Sequence, residues 1–520
     1  TAILNKPPFA NVICSGLILS DSGEKFSKKL GNFQPIDDII NKYGVDALRL
    51  YLIGSPAVEA DSFKFKNDDV ENIGKKLYQL INSCIFFIEH TNNFLKNNSF
   101  DVYSYINSTN KMDKWILARI NRVISVITDN MNTFTVRKVT PQIIEFIEDL
   151  VNWYLKFNRN RLRGRKCKGG QHIDSIKEQE LALSTLFRTL LLFSIIVAPF
   201  IPFLAETIYG KIKTLLPDDD PMNKSSVHLC DFPVKKNFPL DTLVEEKVSL
   251  LQNVCNIIRS LRDQSPNAKS IKVPLVKVTI INDGKGRHKN YLQNIKEFER
   301  YLIEEINTMA VEYVEENTVI KFKPLPNHRN IGQKYNKKAN YIKELINNLS
   351  NNELEQFYYN PNNIIKIPLD GENITISIDK DIISVGVVLD YNPGENELVS
   401  VNGETVIIIN HKYDDTVKKL HMSRLFVTAV QKMRKDTRYG EKEKKLHPWD
   451  ITKIFYNTDS VLINEVVTTY AENIKEDLVY DILPESNYNA EPIITSEEIN
   501  LLGEIVVVTI VDPTGDFVGS

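Results

Sequence analysis

The sequence has few cysteines, and none of them has the spacing of a metal site. The five are Cys14, Cys84, Cys167, Cys230 and Cys255; they are odd in number and never form a C-x-x-C pair. Their spacing argues against a disulfide framework and against a zinc ribbon, so no protein-bound zinc or other metal is expected. The same usage suits a reducing compartment and predicts a cytoplasmic location.

Long hydrophobic runs and a strong net charge are also missing. The longest apolar stretch, 190–205, is shorter than a membrane span and contains Pro199 and Pro202, so it predicts a buried helix and turn and no membrane partner. The net charge of −3 does not attract nucleic acid, and any RNA contact must come from a local patch. The 520 residues predict roughly three or four domains, and the start at Thr1 suggests a piece of a longer protein.

The stretch with the most specific chemistry is the loop 21–32, which contains several lysines. It follows an apolar run, 12–19, that predicts a buried strand with Gly16 inside it. Open α/β sheets bind ligands at the carboxyl ends of their strands, and cations on a loop there can neutralise charge as a polyphosphate is cleaved. The alternative is a solvated surface turn, because lysine pairs are common on protein surfaces.

Helical periodicity dominates the chain from this loop to about residue 265. Asp37–Tyr43 predicts a short helix that ends at Gly44, and the next helix has Asp46 in its first turn, where the helix dipole favours a carboxylate. Arg259 and Arg262 are expected on the outer face of the last helix. The predicted helices after the first are 45–53, 68–90, 112–131, 140–157 with Thr140 as N-cap, 175–197 and 243–263, with a polar linker at 91–110.

The densest basic cluster lies where the predicted helix 140–157 ends. Basic side chains near aromatic rings suit the recognition of an unpaired RNA loop. A structural explanation stays open, because the helix dipole favours cations at a C-terminus in any case. Trp153, Tyr154 and Phe157 lie on the apolar stripe and are expected in the core. The cations proposed for RNA contact are Lys156, Arg159, Arg161, Arg163, Arg165, Lys166 and Lys168.

From about residue 266 the period changes and predicts an α+β region. Strand-like segments and helical segments alternate there, with turns at Asp370-Gly371 and Pro393-Gly394. The predicted strands are 273–281, 310–322, several short ones within 363–391, and 504–511; the predicted helices are 291–306 and 421–439.

Two adjacent motifs resemble a known family. K-F-S-K-K-L-G-N at 25–32 and N-K-Y-G-V-D-A-L-R-L-Y-L at 41–52 are similar to the signature region of class I aminoacyl-tRNA synthetases, above all to the isoleucine enzymes of the eukaryotic cytoplasmic type. Lys25, Ser27 and Lys28 match the signature loop. Phe26 stands where the family usually has Met, and Lys29 where it has Ser or Arg; Phe26 keeps an apolar anchor.

The resemblance continues along the chain and implies a multidomain fold. N-W-Y-L-x-F-N-R-x-R-L and A-P-F-x-P-F-x-x-E-x-I-Y are similar to the family's anticodon-binding bundle, and K-V-P-L, E-L-E-Q-F and A-V-Q-K-M-R-K to its eukaryotic C-terminal extension. The expected parts are the end of a Rossmann-type α/β catalytic domain at 1–45, a helical stem-contact region at 46–110, an all-α anticodon-binding bundle at 111–265 and an α+β C-terminal extension at 266–520.

The resemblance also implies an activity. It is the ATP-dependent attachment of isoleucine to its tRNA through an aminoacyl-adenylate, with Mg²⁺ bound to the ATP. Lys25 and Lys28 are the expected catalytic residues, and Ser27 joins them in binding ATP. A valine or leucine enzyme is the alternative within the class, and a non-catalytic tRNA-binding module is the alternative outside it.

The resemblance further implies that this chain alone is incomplete for catalysis. The family's His-x-Gly-His element does not occur among the eight histidines, and the amino-acid pocket is expected in an N-terminal half through which isoleucine would bind. The expected partners are therefore tRNA, ATP and isoleucine, with other synthetases as candidate partners of the C-terminal extension.

Overall fold

The structure is a computed structural model with two compact units, 1–246 and 247–520. Each unit is described by itself. The residues that the structure describes are 3, 7–29, 31–32, 35–165, 175–286, 290–315, 319–360, 362, 364–368, 375–439, 444–446, 450 and 452–514.

The N-terminal unit is mostly helical. Two short strands, β1 (Ile18–Leu19) and β2 (Phe63–Lys64), pair in parallel. A π-helical segment, Asp149–Leu155, continues the fifth helix. The helices are α1 (Ile36–Tyr43), α2 (Val45–Ile53), α3 (Asn67–Leu95), α4 (Lys111–Asn132), α5 (Val139–Glu148), α6 (Arg159–Leu162), α7 (Ser175–Val197) and α8 (Pro202–Ile212), followed by α9 (Thr242–Gln264), which ends in the second unit.

The predicted helices of this unit are confirmed, with one wrong boundary signal. Helix α3 runs five residues into the predicted polar linker, and Pro202 lies at the start of α8 as expected. Thr140 is not an N-cap, because α5 already begins at Val139. The Thr140 hydroxyl instead donates to the carbonyl of Leu50 at 3.3 Å, which joins α5 to α2.

The prediction of a buried strand over 12–19 is wrong. Only Ile18–Leu19 is a strand, and the side chains of Val12, Ile13 and Leu17 are 60%, 68% and 57% exposed. An apolar run is buried only where other residues cover it, and among the described residues β1 has β2 as its sheet partner. Gly16 is nevertheless required, because a Cβ there would lie 1.9 Å from the carbonyl oxygen of Asp61.

The core of the N-terminal unit forms around α7. This helix has the length and mean hydropathy (1.8) of a membrane span, but 89% of that stretch is buried inside the protein, as in the core helix of a folded domain. Arg119 on α4 is a second organising group, since it bonds Asp149 at 2.7 Å, Glu145 at 3.0 Å and Glu245 at 3.3 Å. The guanidinium therefore joins α4, the π-helical segment and the start of α9 in a buried ionic network.

The C-terminal unit is α+β, as predicted for this region. Its helices are α10 (Tyr291–Lys296), α11 (Glu299–Ile306), α12 (His328–Tyr335), α13 (Ala339–Asn347), α14 (Asn351–Tyr359), α15 (Asp415–Asp436), α16 (Val461–Thr469) and α17 (Ala471–Leu478). Its strands are β3 (Lys277–Ile281), β4 (Val311–Val314), β5 (Ile320–Pro326), β6 (Ile365–Pro368), β7 (Thr375–Ile378), β8 (Ile383–Leu389), β9 (Glu397–Asn402), β10 (Thr405–Asn410), β11 (Arg438–Tyr439), β12 (Lys444–Lys445), β13 (Lys453–Asn457), β14 (Ile482–Pro484), β15 (Ile493–Leu501) and β16 (Glu504–Val511).

This unit contains the same arrangement twice. One sheet has the order β4-β3-β10-β9 and the other the order β14-β13-β16-β15, and in both the first pair is parallel and the other two are antiparallel. Two helices connect the parallel strands in each case, α10 and α11 in the first copy and α16 and α17 in the second. A further long helix precedes each copy, α9 and α15. The unit thus contains an internal repeat, in which the same order of strands and helices occurs twice.

An insertion in the first copy explains why the two sheets differ in side chains. Strands β5 to β8 and helices α12 to α14 lie between β4 and β9, and their core includes Val406 and Ile408 of the first sheet, with Val401 packed against it. The second copy has no such insertion. In the second sheet, the residues that correspond by strand register to Val401 and Ile408 are Glu498, which is exposed, and Thr509, which is half-buried. One face is therefore apolar where it is covered and polar where it meets water.

Two predictions for this unit need correction. The run 310–322 is not one strand, because β4 and β5 belong to different sheets. Arg262 does not lie on an outer face, since its side chain is 2% exposed. It donates to five backbone carbonyls, those of Ala268, Ser270, Val273, Ile306 and Asn307.

Arg262 has a counterpart in the second copy. Arg434, in the last turn of α15, donates to the carbonyl of Leu478 at the end of α17 at 3.3 Å, as Arg262 in the last turn of α9 does to that of Ile306 at the end of α11. Each arginine thus caps carbonyls at the C-terminus of a connecting helix, where backbone acceptors lack helical partners.

The substitution Arg262→Ala is expected to destabilise the C-terminal unit by about 3 kcal/mol, because each buried acceptor left without a donor costs about 1–3 kcal/mol. Hydrogen exchange measured by mass spectrometry at the end of α11 gives the local free energy of opening. The exposed Lys269, changed to Ala, is the matched control and should leave that exchange unchanged. Equal exchange in both variants would contradict the capping role.

Candidate functional site: the lysine loop and the basic helix end

The lysine loop, residues 20–32, leaves β1 through a tight turn. The N–H of Gly23 donates to the carbonyl of Ser20 at 2.8 Å, and the N–H of Ser20 donates to that of Glu24 at the same distance. Gly23 adopts a φ of +87°, which a residue with a Cβ rarely does. The turn directs the following segment, 25–29, back along β1, with a bridge between Leu19 and Lys25.

The structure brings the predicted catalytic residues together on one exposed segment. Lys25 and Lys28 are exposed, and Ser27 between them is half-buried. Asn32 holds this segment from behind: its side-chain oxygen accepts from the N–H of Ser27 at 2.7 Å, and its side-chain nitrogen donates to the carbonyl of Lys25 at 3.3 Å. Two cations on a fixed backbone can contact an anion that approaches from solvent.

Helix α2, which follows the loop and α1, forms side-chain hydrogen bonds with both ends of the α7–α8 turn. Asp46 accepts from the N–H of Leu204 at 2.7 Å, and Arg49 donates to the carbonyls of Pro199 at 3.2 Å and Phe200 at 3.4 Å. The carboxylate thereby caps the start of α8, and the guanidinium caps backbone carbonyls at the turn. Burial raises the pKa of Asp46, and the backbone hydrogen bonds from Leu204 and Phe203 partly offset that effect.

This connection was not predicted. The sequence indicated only that Asp46 lies in the first turn of a helix and that the stretch with Pro199 and Pro202 forms a buried helix and turn. The available signal was the spacing of Asp46 and Arg49, three residues apart in a helix, which places both on one face. Nothing in the sequence indicated which turn that face would meet.

The basic cluster follows the π-helical segment and α6, and its aromatic residues are in the core. Trp153, Tyr154 and Phe157 are at most 8% exposed, as expected. They are therefore unavailable as a platform on which bases could stack, and RNA contact in this region falls to the cations.

The prediction that Arg161 contacts RNA is corrected by its position. Its side chain is 3% exposed and makes two parallel hydrogen bonds of 3.0 Å to the carboxylate of Asp113, with a third of 2.9 Å to Glu178. Tyr154 also donates to Asp113 at 2.9 Å. Burial alone would lower the pKa of Arg161, but the Asp113 carboxylate more than offsets it and raises that pKa above its usual value.

The other described cations of the cluster lie at or near the surface. Lys156 and Arg159 are exposed, and Arg163 and Arg165 are half-buried. Burial, together with the charges of Arg165 and Arg159, lowers the pKa of Arg163 to about 10. The Arg163 guanidinium lies 6.0 Å from the ring of Phe86, and its buried Nε has no hydrogen-bond partner among the described residues.

The described cations of this cluster repel one another, and an anion bound among them would reduce that repulsion.

Lys166 and Lys168 lie outside the described residues. Among those described, no group of three or more His, Cys, Asp or Glu side chains could hold a metal ion.

Comparison with protein families assigns two segments. Residues 1–64 match the model of class I tRNA synthetases (I, L, M and V), and residues 113–278 match the anticodon-binding domain of tRNA ligase. The first match includes the lysine loop, β1 and β2, and the second includes the basic cluster. The resemblance to the class I aminoacyl-tRNA synthetases is thus confirmed.

Within this class the chain is similar to isoleucine–tRNA ligases. It is 31% identical to the cytoplasmic enzyme of Schizosaccharomyces pombe over 515 residues, which are 97% of this chain and 45% of the relative. The corresponding values are 29%, 94% and 44% for the enzyme of Tetrahymena thermophila and 28%, 98% and 39% for the cytoplasmic enzyme of Mus musculus. The chain therefore spans less than half the length of these curated relatives.

A solved ternary complex of an Agrobacterium radiobacter K84 LeuRS with tRNA and LeuAMS is similar at a TM-score of 0.30 and 16% identity. The alignment covers 43% of this chain and 24% of the LeuRS chain, and this similarity is too low to support a comparison of geometry.

The corrected role of Arg161 gives a prediction about stability. Arg161→Ala leaves the Asp113 carboxylate buried without its cation and is expected to destabilise the N-terminal unit by about 3–5 kcal/mol. Arg159→Ala, two residues away and exposed, is the matched control and should change stability by less than about 0.5 kcal/mol. Urea unfolding followed by the fluorescence of Trp115 and Trp153, with the third tryptophan, Trp449, replaced by Phe, measures both. Similar midpoints for the two variants would contradict the structural role.

Proposed function

We propose that this chain forms part of an isoleucine–tRNA ligase, in which it supplies the lysine loop and tRNA-binding surfaces. The observation that carries the proposal is the exposure of Lys25 and Lys28 on a loop held by Asn32, within a segment that matches the class I tRNA synthetases. The names of the relatives support isoleucine as the amino acid. In the complete enzyme, isoleucine would bind to the part that corresponds to the rest of the relatives' length, which this chain does not cover.

The proposed reaction has two steps. The isoleucine carboxylate attacks the α-phosphorus of ATP and pyrophosphate leaves, and a hydroxyl at the 3′ end of the tRNA then takes the aminoacyl group from the adenylate with release of AMP. Lys25 and Lys28 would stabilise the negative charge on the leaving pyrophosphate, and Ser27 would bind a phosphate or the loop backbone. Both lysine side chains fit phosphate oxygens in charge and exposure. Mg²⁺ bound to the ATP would supply further charge neutralisation.

The proposed domains are the end of a Rossmann-type catalytic domain at 1–45, a stem-contact region at 46–110, an anticodon-binding bundle at 111–265 and an extension at 266–520. The cytoplasmic relatives and the five dispersed cysteines support a cytoplasmic location. Other synthetases remain candidate partners of the extension. For RNA contact we propose Lys156, Arg159, Arg163 and Arg165, together with Lys166 and Lys168.

The alternative is a tRNA-binding module without catalysis, in which the helical bundle is the active part and the lysine loop has no catalytic role. The N-terminal part of a relative, supplied in trans, distinguishes the two. Restored aminoacylation supports the ligase, whereas tRNA binding without aminoacylation supports the module.

Lys28→Ala in the complete enzyme is expected to lower kcat for adenylate formation by about 10²-fold, the usual effect of losing one preorganised charge. Isoleucine-dependent exchange of pyrophosphate into ATP measures this step. The neighbouring Lys29→Ala, also exposed, is the matched control and should have a smaller effect. An exchange rate unchanged by Lys28→Ala would contradict the assignment.

Replacing Arg159, Arg163 and Arg165 by Gln is expected to weaken tRNA binding and reduce its salt dependence, because each lost phosphate contact lowers the slope of log K against log salt by about 0.7–0.9. Binding is measured at several salt concentrations. The exposed Lys114, Lys236 and Lys269, all changed to Gln, form a control of equal charge change. Identical slopes for both variants would show that the arginines make no phosphate contacts and have only a structural role.

A further inference from the structure

A small apolar pocket lies directly beneath the lysine loop. Phe26, between Lys25 and Ser27, forms one wall and is half-buried, while β1, α1, α2 and Phe65, which follows β2, supply the others. The cavity beside the ring has a volume of about 170 Å³, and almost no polar surface lines it. The wall residues that matter here are Ile18, Ile36, Ile39, Leu48 and Leu52.

The pocket is open to solvent on one side, where its wall residues Ile36 and Ile18 are 58% and 38% exposed. Closely packed cores leave few voids larger than a water molecule, so the half-buried Phe26 ring does not fill the space between these walls. Moving the ring from the walls into water would lose only part of the roughly 1.5–3 kcal/mol that full burial of such a side chain contributes. Such a pocket permits limited loop movement and opposes complete release.

Asn32 provides the second restraint, and only an amide can provide it in this form. It accepts from the N–H of Ser27 and donates to the carbonyl of Lys25, so its two bonds lie on either side of Phe26. An aspartate could accept the first bond but has no donor for the second. Asn32 thus holds the backbone on both sides of Phe26, and the pocket walls contact its ring.

We propose that Phe26 and Asn32 are positioning residues that fix the location of Lys25 and Lys28 relative to the leaving pyrophosphate. This inference rests on the proposed function, since it assigns the pair a part in adenylate formation. The physical reason is geometric: the lysines belong to the same five-residue segment as Phe26, and a displacement of about 1 Å at a reacting centre can cost 10²-fold in rate.

The test compares Phe26→Ala, Phe26→Met and Asn32→Asp in the complete enzyme by pyrophosphate exchange. Phe26→Ala and Asn32→Asp are expected to lower kcat at least 10-fold with the KM for isoleucine unchanged. Phe26→Met keeps an apolar side chain in the pocket and should recover most of the rate. Tyr78→Ala removes an exposed aromatic ring from α3 and should leave kcat unchanged.

A second measurement uses the chain as it stands. Hydrogen exchange of 20–29 should become faster in Phe26→Ala and Asn32→Asp, whereas exchange in α2 should not change. Faster exchange with a wild-type kcat would overturn the positioning role, and so would unchanged exchange and kcat. Loss of kcat in Phe26→Met equal to that in Phe26→Ala would overturn the role of the pocket. If Lys28→Ala has no effect on the rate, the proposed function fails, and this inference fails with it.

Discussion

Two hydrogen-bonding side chains on α2 connect the lysine loop to the helical core. Asp46 satisfies an N–H at the start of α8, and Arg49 satisfies carbonyls at the α7–α8 turn. Helix α7 is almost completely buried, so the turn at its end is one of the most firmly fixed parts of the unit. Because α2 follows the loop by way of α1 alone, the position of the loop depends on that turn. The loop is thereby connected through α2 to α7, and Glu178 of α7 also pairs with Arg161 of the basic cluster.

Helices and their apolar faces could be predicted from the sequence because the information is local. A stripe at three- and four-residue spacing needs no knowledge of its partner, and α4, α7 and α9 were predicted within two residues. Strand β16 was predicted for a similar reason, as a continuous run of β-branched residues. The run 12–19 had the same appearance but remains exposed. Its composition specified a preference for burial and could not specify what covers it.

Buried charge was the part of the structure that the sequence concealed. Arg161 pairs with a carboxylate 48 residues earlier, and Arg262 donates to carbonyls up to 45 residues later. A basic residue next to others on a helix is normally exposed, so both were assigned to surfaces. The same reasoning succeeded for Arg159, which is exposed. Distance along the chain to the partner, and not the residue type, decided which arginines could be assigned correctly.

The removal of Arg161 from the RNA-binding set strengthens the case for the remaining cations. Asp113 and Glu178 neutralise the guanidinium of Arg161. It therefore contributes little positive potential outside the protein and would attract an anion only weakly. Arg163 behaves in the opposite way, since burial and the charges of Arg165 and Arg159 lower its pKa to about 10. Holding such a group charged costs free energy in the isolated protein. In the RNA-binding role proposed for this cluster, a phosphate beside Arg163 would lower that cost.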